Sequence, residues 1–117
     1  MKKHNYKKLE IYQRSLKLAC ELMPICDSIR PYRLSEQIAG SCISIPSNIA
    51  EGSCRSSDAD FLRFLEYSSG SCAELETQLI ILQSQKKAHL NEIKIWLKEI
   101  DSIFSMINGF IYMHSKN

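Results

Sequence analysis

Glycine and proline are scarce in this 117-residue chain, four and three residues respectively, too few for the tight turns that an all-β fold of this length needs. Long apolar runs are missing as well. The uncharged stretch Gln37 to Ala50, which no other exceeds in length, is interrupted by Ser, Asn and Pro and is too short to cross a bilayer. No apolar signal core follows the basic start, where Glu10, Arg14, Lys17 and Glu21 come instead. The expectation is a cytoplasmic protein with no membrane role. There is no phosphate-cradling glycine loop, no Gly-x-Ser-x-Gly turn and no His-Glu-x-x-His. The three histidines, His4, His89 and His114, sit near termini or a helix exit, poor places for a preorganised acid or base. Cys20, Cys26, Cys42, Cys54 and Cys72 form no Cys-x-x-Cys and have no histidine near them in sequence, which is not zinc spacing. They read as reduced thiols acting as small hydrophobes. These absences argue against an enzyme and predict no cofactor, no metal and no small-molecule substrate.

What is present is helical periodicity. With 44% hydrophobic and 24% charged residues, a chain of this length forms one domain, 1–117, and buries roughly two-thirds of its unfolded surface. Leu9, Tyr12, Leu16, Ala19, Met23 and Cys26 step by three or four and predict a helix over 6–29, bent or ended early by Pro24. Arg30 to Arg33 reads as a connector, and Ser35 as the cap of a second helix over 35–52 that ends at Gly52. Its apolar row is Ile38, Cys42, Ile45 and Ile49, and it keeps phase across Pro46, so one helix kinked near Pro46 is expected.

Ser56, Ser57 and Asp58 offer cap chemistry for a third helix over 57–86, whose seam Phe61, Leu65, Ser68, Cys72, Leu75, Leu79 and Leu82 is a clean heptad. Gly70 lies among small residues there and suggests the close approach of another backbone. A fourth helix over 91–113 carries Ile93, Leu97, Ile100, Phe104, Ile107 and Ile111, widened by Trp96, Ile103 and Phe110. The fold class is all-α, an antiparallel up-down four-helix bundle.

A second row runs beside the apolar one in the 35–52 helix: Gln37, Ser41, Ser44, Asn48 and Glu51. Such a stripe wants hydrogen-bond partners, because a buried polar group left unpaired costs about 1–3 kcal/mol. Backbone groups or Ser71, Glu74 and Gln78 of the 57–86 helix are the expected partners, so Gln37, Ser44, Asn48, Glu51, Glu74 and Gln78 are expected to fix helix register. A carboxylate metal site is disfavoured, since the Glu-x-x-His pairs of di-iron bundles are missing.

Charge is uneven. Lys2, Lys3, Lys7 and Lys8 precede a remainder with 11 basic and 13 acidic side chains, so the body is slightly acidic. Residues 1–5 are expected to be a mobile, basic tail. Lys2, Lys3, Lys7, Lys8 and Arg55 are the candidate contacts to nucleic acid.

Gln37-Ile38, Ser44-Ile45-Pro46-Ser47-Asn48-Ile49-Ala50-Glu51-Gly52, Phe64-Leu65 and Gly70-Ser71-Cys72-Ala73-Glu74-Leu75-Glu76-Thr77-Gln78-Leu79 closely resemble the bacterial family of 23S rRNA intervening-sequence proteins, over nearly the whole chain. The resemblance implies an up-down bundle assembled into a ring, a homopentamer, without catalysis. It also relates the chain to accessory proteins of diversity-generating retroelements, which bind a reverse transcriptase and its RNA. The function expected is a non-enzymatic oligomeric accessory of RNA or a ribonucleoprotein; the alternative is a protein-binding scaffold with no nucleic-acid role.

Overall fold

The computed structural model describes residues 5–115. A 3-10 turn, Tyr6–Lys8, precedes four helices: α1 (Glu10–Cys26), α2 (Tyr32–Ser53), α3 (Asp58–Ser84) and α4 (Leu90–Ser115). No strand occurs among the described residues. Each helix packs on the next in sequence and α1 closes against α4, giving a rod of 48 × 21 × 21 Å. Contacting residues run in opposite senses along the paired helices: Ser44 meets Ser71, Ile45 meets Ser68 and Gly52 meets Phe61 and Phe64. Across α1 and α4, Arg14 meets Glu99 and Ser28 meets His89.

The α2 and α3 seams lie where the periodicity puts them. Ile38, Cys42, Ile45 and Ile49, and all seven residues from Phe61 to Leu82, are buried. In α1 the expected row is displaced. The buried residues are Ile11, Ser15, Leu18, Ala19, Leu22 and Cys26, whereas Leu16 and Met23 face outward. Ala19 and Cys26 of the expected row remain buried and Leu9 and Tyr12 pack against the core, but the core is centred about 100° round the helix on Ile11, Ser15, Leu18 and Leu22. In α4 Trp96 is enclosed, while Phe104 is on the surface.

Boundaries shift where local chemistry differs from expectation. The α-helical part of the first segment is Glu10–Cys26, and Pro24 does not end it early. The second helix begins at Tyr32, with Pro31 in the cap position: its backbone is extended, and its carbonyl accepts from the Leu34 and Ser35 amides at 3.0 and 3.2 Å, which opens the helix. Ser35 is therefore inside α2 and caps nothing. Its hydroxyl donates to the Cys26 carbonyl at 2.6 Å and ties the end of α1 to the start of α2. Pro46 is buried within an unbroken α2. Ser57 does cap α3, accepting from the Asp60 amide at 3.1 Å.

Two glycines exchange roles. Gly70 has nothing within 4 Å of where a Cβ would stand, so no other helix among the described residues approaches it. Gly52, expected as a stop, is inside α2 and is the point of close approach: an added Cβ would lie 2.6 Å from Phe64 Cβ and 3.3 Å from the Phe61 carbonyl oxygen.

Candidate functional site

Helical spacing sets Gln37, Gly40, Ser41 and Ser44 of α2 against Ser71, Glu74 and Gln78 of α3, where they line an open groove of about 430 Å³. At its floor the Ser44 and Ser71 hydroxyls are 2.8 Å apart. Below it, buried Ser68 donates to the Ile45 carbonyl at 2.8 Å. Asn48 turns back along its own helix, donating to the Ser44 carbonyl at 2.9 Å and to the Ser44 hydroxyl at 2.8 Å. Glu51 does not reach α3. Its carboxylate pairs with Arg55 one turn on, a distance that suits an i, i+4 pair better than crossing to the next helix. The Gln78 carbonyl oxygen is buried without a hydrogen-bond partner. The groove has one carboxylate and no cation, and nothing in it forms a nucleophile and base pair.

The expected cations divide. Lys2 and Lys3 lie outside the described residues. Lys7 and Lys8 are exposed in the 3-10 turn, and the Lys7 carbonyl accepts from Gln13. Arg55 is occupied: it pairs with Glu51 and lies 4.7 Å over the Phe64 ring. Arg63, at the same end, pairs with Asp60.

Sequence reasoning missed a second polar contact. Arg14 of α1 grips Glu99 of α4 with two bonds, Nε to Oε2 at 3.0 Å and Nη2 to Oε1 at 2.5 Å. The guanidinium hydrogen bonds hold the Glu99 carboxyl below the usual carboxylate range, and Glu99 in turn raises Arg14. Fork geometry on a carboxylate 85 positions away leaves no local signal. Beside it, Lys17, Leu18, Glu21, Trp96 and Ser102 line a hollow of about 480 Å³.

The thiols fit the structural role. Burial pushes Cys42 and Cys72 up to about 12 and raises Cys26, so these sulfurs stay protonated and unreactive. Cys20 and Cys54 are exposed. No group of three or more His, Cys, Asp or Glu able to hold a metal occurs among the described residues. None of the described helices is long and apolar enough to cross a membrane.

The model of the 23S rRNA-intervening sequence protein family matches residues 7–109, almost the whole described bundle. The chain belongs to that family. Membership in the 23S rRNA-intervening sequence proteins agrees with the motif words on α2 and α3, which coincide with the seam of closest approach. A crystal structure from Bacteroides thetaiotaomicron, a protein of unknown function in the S23 ribosomal protein family, superposes with a TM-score of 0.80 at 22% identity. The alignment covers 86% of this chain and 97% of that one. At that identity it attests the shared fold alone. A comparison with curated proteins finds no match.

Proposed function

We propose that this 23S rRNA-intervening sequence protein is a non-enzymatic, self-associating bundle that serves as an accessory to RNA or a ribonucleoprotein. The observation that carries it is the outside of the bundle. Leu16 and Ile43 are 40% and 47% exposed on the α1–α2 side, around an apolar hollow shared with Tyr12, Ala19 and Pro46. On α3 and α4, Ile80, Ile81 and Ile95 are 50%, 49% and 65% exposed. Exposed apolar residues scattered singly are normal, but Leu16 and Ile43 gathered around one apolar hollow make a contiguous surface of the kind that takes a partner. Two unlike faces, this hollow and the isoleucines of α3 and α4, favour head-to-tail contact, which forms a ring when its rotation closes and a filament when it does not. Five subunits is the number the family resemblance implies.

The RNA half rests on the family's description and on the exposed lysines of the amino-terminal turn. Cellular capture of the tagged protein, with and without ribonuclease, tests it: RNA association gives co-purifying material that nuclease releases. Partners that persist after nuclease would favour the second reading, a protein scaffold, which the −2 balance of residues 9–117 supports.

A further inference from the structure

The end of the bundle opposite Lys7 and Lys8 is built from two connectors that touch. The Ser28 hydroxyl, after α1, is 3.2 Å from His89 Nε2, before α4. Residues 27–33 and 85–89 hold Arg30, Arg33, Lys86 and Lys87 against a single carboxylate, Asp27. Flanking carboxylates are Glu36 on α2 and Glu92 on α4, the latter 3.5 Å from His89. All four cations are exposed, and among the described residues none of them forms an ion pair. The contrast with the other end, where Arg55 and Arg63 are neutralised, is direct.

An aromatic ring at the start of α2 stands beside Arg30 of this patch. Tyr32 is 64% exposed, and the Arg30 guanidinium lies over it with Cζ 4.0 Å from the ring centroid. Arg30 is locked there by Nη1, which donates to the Asp27 and Ile29 carbonyls at 2.8 and 3.0 Å. One face of the tyrosine is thus covered by a cation and the ring remains open to solvent beyond it. Lys86 adds a backbone observation. It follows the cap of α3 with φ 53°, the left-handed position where glycine is usual, so a cation stands where the turn alone would favour glycine.

We propose that these connectors form a single-stranded RNA contact, with Arg33, Lys86 and Lys87 on phosphates and a base stacked on Tyr32. A cationic track with an interleaved aromatic is what sequence-tolerant binding of single strands needs. The proposal rests on the RNA reading above but places the contact at the end opposite the amino-terminal lysines.

The test is fluorescence anisotropy of a labelled single-stranded oligouridine across a salt series, using the full chain. The triple variant Arg33→Ser, Lys86→Gly, Lys87→Ser is expected to flatten the logarithmic salt slope by about 2, since each phosphate no longer neutralised removes about 0.7. Tyr32→Ala should weaken binding about fivefold or more with the slope unchanged. Lys86→Gly alone should raise the melting temperature while weakening RNA, a pair of opposite signs that a purely structural lysine cannot give. Parental affinity and slope in the connector variants, with binding abolished on replacing Lys2, Lys3, Lys7 and Lys8 by Ala, would overturn the proposal and leave the RNA reading standing. Failure of the parent to bind RNA at low salt would overturn both. Binding of polyglutamate through the connectors, with Tyr32→Ala unaffected, would overturn it in favour of an acidic protein partner.

Discussion

At the Gly52 end of α2 and α3 the helices come so close that a methyl group has no room, and serine hydroxyls bridge them further along before the seam opens into the polar groove, whereas α1 and α4 border a hollow and are clasped by Arg14 on Glu99. The close seam is selective about residue size. The clasped seam is selective about charge, tolerates space, and is partly open to water. The family's motif words fall on the close seam because steric fit at fixed backbone distance admits few residue types, while an ion pair between distant positions leaves no word in the sequence.

The largest expected effect is at Gly52. Gly52→Ala forces Phe64 or the Phe61 backbone to move and should cost about 2–3 kcal/mol, lowering the melting temperature by roughly 10 °C. Gly70→Ala meets open space and should stabilise α3 by about 1 kcal/mol. Thermal melts at one protein concentration check both; equal effects would erase the distinction between the two glycines.

These two glycines also show where sequence reasoning reaches its limit. Spacing located four helices and the whole α3 seam, because a heptad row has only one way to face a core. In α1 it put Leu16 and Met23 in the core row, and they face outward, since they are as hydrophobic as the residues that are buried. The close approach was expected at Gly70, inside a run of small residues, and occurs at Gly52, which looked like a terminator. Both positions are equally permissive as residues; only the helix crossing distinguishes them. Ser35 similarly has cap chemistry but sits three residues inside α2, because Pro31 had already started the helix. The connector patch of Arg30, Tyr32, Arg33, Lys86 and Lys87 was not legible, its halves being far apart in sequence and joined only by the fold.

Next in size are the hydroxyl and amide bonds of the close seam. Ser68→Ala and Asn48→Ala should each cost about 1 kcal/mol, the ordinary worth of a hydrogen bond, measured by urea unfolding; losses near zero would mean that water replaces them at no cost.

The clasp should be weaker and dependent on pH. Coupling between Arg14→Ala and Glu99→Ala in a double-mutant cycle should be about 1 kcal/mol or less, because both side chains are 31% exposed. The folded carboxyl of Glu99 is held below its unfolded value. Its contribution is therefore complete above the usual carboxylate pKa and lost as pH falls through the folded one. Glu99→Gln should remove that acid-side dependence, and a coupling that persists undiminished in strong acid would contradict the assignment. Smallest of all is Glu51→Ala, expected within about 0.5 kcal/mol, since the Glu51–Arg55 pair is exposed and local. A loss of several times that would show that Glu51 has a further partner, across a subunit contact.

The central claim is that the apolar hollow around Leu16 and Ile43 is covered by another copy of the chain. Multi-angle light scattering of the purified protein tests it most directly. The account predicts a mass about five times the 13.5 kDa of one chain, falling to that of a single, still helical chain when Leu16 and Ile43 are both changed to Glu; a parental protein that elutes as a monomer at micromolar concentration would contradict it.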